Sequence, residues 1–144
     1  MILSFRLSWS MCRSINAPCF RLGNMILHAV VTILLHIFVS CVVDPSSHLW
    51  MLPLTSSLLF ATHPVHVEGV VAVVNRAEPM CAIFMLLASI VYLQMNKATN
   101  IGFLCRLGCA SLFVVCAMLS KETGLTVIGI LVLLDLSGWV REKH

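Results

Sequence analysis

The chain has 144 residues, of which 60% are hydrophobic and 10% charged, with a formal net charge of +3; its mean hydropathy is +1.01. A soluble domain is about half apolar and roughly a quarter charged. The charge deficit therefore excludes an ordinary soluble fold and points to an all-α membrane protein, one domain or a piece of one, while the absence of a basic run gives no footing for a nucleic-acid partner.

Residues 1–21 mix Leu, Phe and Trp with Arg6, Arg13 and Arg21. They read as a lumenal or interfacial flank, either a helix lying in the headgroup region until Pro18 or a frayed tail. No cleavable leader is visible, because Arg6 and Arg13 interrupt the first apolar run. Residues 22–144 form the multispan domain. Leu22 to Val43 is the clearest span: 22 residues at helical rise cover roughly 33 Å, enough for a hydrocarbon core of about 30 Å. It carries Asn24, His28 and His36, which either hydrogen-bond to neighbouring helices or serve a ligand.

Residues 47–62 predict a second, short span kinked by Pro53. An interfacial helix follows over about 64–75, opened by Pro64, with Glu68 and Asn75 on one face. The β-branched run Val70–Val74 would suit a strand in water, but an unpaired strand is excluded from lipid. Three more spans follow at about 79–94, opened by Pro79, at 101–119, carrying Arg106, and at 125–139. No internal repeat is visible. The seven cysteines contain no C-x-x-C, and most lie in apolar runs, where cysteine behaves as a small hydrophobe; Cys12 and Cys19, in the flank, could pair.

Alternating five spans places residues 1–21, 63–78 and 120–124 on one side of the membrane. That side carries Arg6, Arg13, Arg21, Arg76 and Lys121; the other carries Lys97, Arg141 and Lys143. The positive-inside rule would turn the crowded side to the cytosol, but the margin is narrow and leaves orientation open. In either orientation Arg21, His63, His66, Glu68, Arg76, Glu78, Lys121 and Glu122 gather at one membrane face. Cations and donors at headgroup depth suit an anionic phosphate, and nearby carboxylates and imidazoles can move protons. The plainer alternative is a self-satisfied network, with Arg76 on Glu68 or Glu78 and Lys121 beside Glu122. A metal site at His63-x-x-His66 with Glu68 is the weaker reading, since Pro64 distorts the spacing and nothing completes the ligand set. An ion pathway through His28, His36 and the His63 cluster would require paired broken helices, which no span shows.

The run Phe60-Ala61-Thr62-His63-Pro64-Val65-His66-Val67-Glu68-Gly69-Val70-Val71, followed by Asn75-Arg76-Ala77-Glu78, resembles the HPxHxEAV…GRAD signature of the transmembrane and tetratricopeptide-repeat-containing (TMTC) protein O-mannosyltransferases. Phe20-Arg21-Leu22-Gly23-Asn24-Met25-Ile26-Leu27-His28-Ala29 is similar to the family's FHLxNxLLHA span, and Lys121-Glu122-Thr123-Gly124-Leu125-Thr126-Val127 to its KExGxTV corner. Ser4-Phe5-Arg6-Leu7 resembles the end of its first lumenal loop. Three departures stand out: Asn75 replaces the Gly of GRAD, Gly69 the Ala of EAV, and Arg21 the His of FHLxN.

The resemblance implies part of a GT-C-type bundle in the endoplasmic-reticulum membrane, multi-pass, with the signature segments facing the lumen. It implies transfer of mannose from dolichyl phosphate mannose, with no further cofactor and no metal, to Ser/Thr of secretory-pathway proteins such as cadherins. Arg76, Lys121 and Arg21 would then neutralise the lipid phosphate, and His63, His66, Glu68, Glu78 and Glu122 would shape the donor site. The family's catalytic acid would precede residue 1 and its tetratricopeptide array would follow residue 144, so a truncated fragment or isoform is expected. The alternative function is a catalytically incomplete membrane scaffold.

Overall fold

The computed structural model describes residues 17–43, 48–94 and 100–136, and every regular element among them is helical. The expected interfacial helix over the first residues, and the polar turns at 44–47 and 95–99, lie outside the described residues. Helix α1 is Ala17–Val42, α2 Leu52–Thr62, α3 His66–Val71, α4 Ala77–Leu93, α5 Asn100–Ser120 and α6 Thr126–Leu136. Single 3-10 turns, Val73–Arg76 and Glu122–Leu125, lead into α4 and α6.

The prolines act as starters. Pro18 lies in the first turn of α1. Pro53 occupies the first turn of α2, where its missing N–H has no intrahelical partner to lose, so no kink forms and the helix begins there. Pro79 sits in the first turn of α4, which starts two residues earlier than predicted. The expected helix over 64–75 is broken: Ala72 is extended (φ −75°, ψ 118°), ending α3 and starting the 3-10 turn. Glu68 and Asn75 therefore do not share a continuous helical face.

Among the described residues two helices, Pro18–Val42 and Ile101–Ser120, are long and apolar enough to cross a membrane. α4, with 17 residues, rises about 26 Å, and α2, with 11, only about 17 Å. α2 alone is thus shorter than the span predicted over 47–62. The surface is apolar in a way a soluble bundle avoids: Leu59 is 69% exposed, Ile101 78%, Leu119 79% and Leu133 66%. The interior is small, built on Phe20, Val31, Cys81, Ala88, Ile90, Ala110, Ala117 and Val127. Hydroxyls along the helices bond back to their own turns, as in Thr32 to the His28 carbonyl (3.0 Å), Ser89 to Met85 (2.9 Å) and Ser120 to Cys116 (2.8 Å). This is how polar side chains are satisfied where lipid offers no partner.

α1 packs between α2 and α4, and α4 packs between α1 and α5, with α6 also against α4. Contacts fix the directions. His28 meets the Ala61 carbonyl at one level and His36 meets Ser57 at a deeper one (both 3.4 Å), so α1 and α2 are antiparallel. Glu78 pairs with Lys121, Phe84 stacks near Phe113 and Arg106 reaches the Gln94 carbonyl, so α4 and α5 are antiparallel too. Arg106 thus turns to the carbonyl end of α4 and away from the hydrocarbon. The outcome is one end of the bundle that collects the start of α1, the 63–78 corner and the 121–125 turn.

Candidate functional site

At that end the α2–α3 corner folds over α1. The His63 carbonyl accepts the His66 N–H (3.1 Å) and the Pro64 carbonyl accepts the Val67 N–H (3.1 Å), winding the chain into α3 directly after the proline. His63 Nδ1 accepts the Val65 N–H at 3.2 Å. The winding delivers His66 onto α1, where its ring lies 5.3 Å from that of His28 and 4.1 Å from that of Phe60. His28 stacks on Phe60 at 5.4 Å, and His63 meets His66 edge-on at 6.0 Å. Burial, and then the neighbouring His28 and His63, hold His66 below the usual imidazole range, which favours its neutral form as a hydrogen-bonding group.

This ring cluster walls a cavity of about 170 Å³. Its polar lining is Asn24 and His28 from α1, His66 from α3 and Glu78 from α4. Val31, Phe60 and Ala82 form its floor, and the same three residues begin an apolar trough of about 220 Å³. The trough runs between α1 and α4 past Leu35, Phe38, Met85 and Leu86. A second groove of about 550 Å³ opens on the other side of the His28–His66 pair, between α1 and the α2–α3 corner, and includes His63.

Glu78 also borders a smaller hollow shared with Lys121 and Thr123. Lys121 donates to Glu78 Oε1 and the two form an ion pair, their side chains 35% and 55% exposed respectively. That hydrogen bond is the main reason Lys121 is held above its ordinary range. Lys121 thus pairs with Glu78, not with its neighbour Glu122. The turn that carries it is tight: a Cβ on Gly124 would lie 2.4 Å from the Ala117 carbonyl carbon.

Arg76 stands differently from the expectation. It is 3% exposed, donates from Nε to Asn24 Oδ1 (3.1 Å) and from Nη2 to the Phe20 carbonyl (3.4 Å), and lies over the Phe20 ring at 5.8 Å. It bonds neither Glu68 nor Glu78 in these contacts and lines none of the cavities above. Burial pulls its guanidinium below the ordinary value, though arginine stays charged throughout. Arg21, Glu68 and Glu122 are exposed at the same end and likewise stand outside the cavities. Of the predicted residues, the fold therefore joins His63 with His66 and Glu78 with Lys121.

His28, read from the sequence as a helix contact or a ligand group, and Phe60, which was not singled out, both belong to the cavity. The usable signal was their place one span apart at the same depth as His66. The helix-to-helix reading of α1's polar residues holds for His28 and His36, which meet α2, while Asn24 bonds the Ala72 break. Among the described residues no group of three or more His, Cys, Asp or Glu is placed to hold a metal ion. Cys19 is disulfide-bonded, with its partner outside the described residues.

Comparison with known proteins gives relatives along nearly the whole chain. It is 35% identical over 129 residues to human "Protein O-mannosyl-transferase TMTC3", which covers 90% of this chain and 13% of that protein. It is 36% identical over 143 residues to "Protein O-mannosyl-transferase TMTC1" of Mus musculus, covering 94% and 15%. It is 32% identical over 136 residues to "Protein O-mannosyl-transferase tmtc2" of Xenopus laevis, covering 92% and 16%. The chain thus spans less than one fifth of the length of each of these relatives. No protein-family model and no solved structure matches it.

Proposed function

Since the chain belongs, over the segment it spans, to the TMTC protein O-mannosyl-transferase family, we propose that it forms the donor-binding part of a protein O-mannosyltransferase. The donor is dolichyl phosphate mannose and the acceptors are Ser/Thr of secretory-pathway proteins such as cadherins. The observation that carries this reading is the shape of the cleft. A cavity lined by imidazoles, an amide and a carboxylate runs directly into an apolar trough between α1 and α4. That is the form a polyprenyl-phosphate sugar requires: headgroup in the polar end, isoprene units along the trough, phosphate toward Lys121.

In this site the imidazoles of His28 and His66 hydrogen-bond sugar or phosphate oxygens, and Glu78 accepts from sugar hydroxyls. Lys121 supports the phosphate as negative charge grows on it in the transition state. The protein sits in the endoplasmic-reticulum membrane as a multi-pass bundle of five spans with a GT-C arrangement, the site facing the lumen. A disulfide at Cys19 fits that placement, because disulfides persist in oxidising compartments.

The test is mannosyl transfer from radiolabelled dolichyl phosphate mannose to a cadherin-domain acceptor, in membranes containing the protein. Lys121→Ala should lower transfer by at least about tenfold, the scale of losing one charge-stabilising contact; an unchanged rate refutes the site. A second reading, a membrane scaffold that holds the lipid but transfers nothing, is favoured by one feature: Lys121 and Glu78 already satisfy each other. It predicts crosslinking of a photoreactive dolichyl phosphate mannose with no transfer at saturating donor.

A further inference from the structure

The break at Ala72 is held from one side by a single side chain. Asn24 of α1 is 1% exposed, and its Nδ2 donates to the Ala72 carbonyl at 3.0 Å while its Oδ1 accepts from Arg76 Nε at 3.1 Å. The orientation of the amide follows from its partners, because a carbonyl can only accept and a guanidinium can only donate. Asn24 therefore grips both ends of the 3-10 turn, and Arg76 extends the grip to the Phe20 carbonyl one turn earlier on α1. Gly23 makes the approach possible: a Cβ there would stand 2.4 Å from Arg76 Nη2. The polar residues that line the cavity from α3 and α4, His66 and Glu78, lie on opposite sides of this turn.

We infer that Arg76 is a positioning residue, clamping the Ala72 break to α1 through Asn24 so that His66 and Glu78 border one cavity, and is not a ligand of the lipid phosphate. A guanidinium buried in this way holds two elements at a set distance, and withdrawing it to meet a lipid would break its hydrogen bonds to Asn24 Oδ1 and the Phe20 carbonyl. Lysine cannot replace it, since one ammonium on a flexible stem does not reproduce the fork that meets Asn24 and Phe20 together. The clamp rests on the donor-site reading only for its purpose; its geometry is independent of it.

The experiment reads the corner with no lipid added. Gly69 lines the cavity, and a side chain there meets nothing within 4 Å, so Gly69→Cys supplies a reporter thiol. Its labelling by a maleimide, quantified at position 69 by mass spectrometry, should rise at least about fivefold with Arg76→Lys or Asn24→Ala, the local opening expected when a buried charged hydrogen bond is lost. The double variant should rise no further, because either loss undoes the same clamp. In parallel, photoreactive dolichyl phosphate and uncharged photoreactive dolichol are crosslinked to the chain. Both should weaken equally in the two variants. Unchanged labelling at position 69, or a loss confined to Arg76 variants and to the phosphorylated probe, overturns the clamp and makes Arg76 a phosphate ligand. Failure of the unsubstituted chain to crosslink either probe removes the donor site and leaves the clamp to stand on the labelling alone. Arg76→Lys and Asn24→Ser, both mild, keep the test readable if Asn24→Ala does not fold.

Discussion

Replacing Gly124 with alanine should destabilise the bundle and displace Lys121. An added Cβ would lie 2.4 Å from the Ala117 carbonyl carbon, 2.5 Å from its oxygen and 2.7 Å from the Met118 nitrogen. All three are backbone atoms in the last turns of α5, so no side chain can swing aside. Reaching ordinary contact near 3.4 Å requires the 121–125 turn to retreat by roughly 1 Å from α5. Overpacking of this kind costs about 1–3 kcal/mol. At roughly 4 °C per kcal/mol for a chain of this size, the midpoint should fall by about 4–12 °C. The assay is thermal unfolding in detergent, with Gly108→Ala in α5 and Gly129→Ala in α6 as controls. Neither control position has a heavy atom within 4 Å of the added Cβ, and both should be neutral or slightly stabilising, since alanine is the better helix former. A Gly124→Ala protein that melts with the controls would refute the claim that close backbone approach sets this corner.

Three further outcomes are expected. Glu78→Gln should barely change stability, because the Lys121 pair is exposed at its ends, and its unfolding midpoint should lose salt dependence relative to the parent; a large fall in the midpoint would mean the pair is desolvated. His66 has a lowered folded-state pKa, with His28, His63 and Glu78 around it, so the unfolded chain binds more protons as pH falls through about 6.5 and below. Stability should therefore be full above that value and decline toward pH 5, and His66→Phe should flatten the decline in melts at stepped pH; equal slopes in both proteins would remove His66 as the cause. In sealed microsomes, thiols introduced by Thr62→Cys and Glu122→Cys should resist an impermeant maleimide until the vesicles are opened, while one introduced by Leu136→Cys should label at once; the reverse pattern would put the cavity in the cytosol.

Much of the bundle was legible because lipid imposes simple rules. Long apolar runs predicted helices, and the contacts set α1 antiparallel to α2 and α4 antiparallel to α5. Proline was harder. Pro53 looks like a kink when its run is assumed to begin at 47, and like a start once the helix begins at 52. The break at Ala72 had no signal in residue type, since the surrounding Val-rich run favours no particular stop. Its carbonyl meets a partner nearly fifty residues distant, the Asn24 amide, and such a partner is invisible in a local pattern.

The same distance effect explains why Arg76 and Glu78 have opposite fates. Read along the chain, Arg76-Ala77-Glu78 is a basic-acidic pair and invites a shared role at one phosphate. Side chains two positions apart on a helix project to nearly opposite faces, and these two bond to different partners. With Arg76 ending the 3-10 turn and Ala77 opening α4, Arg76 turns inward to α1 and Glu78 turns across to Lys121 on the far side of α4. Two charges two positions apart thus bond to different elements, Arg76 to α1 and Glu78 to Lys121 at the start of the 121–125 turn.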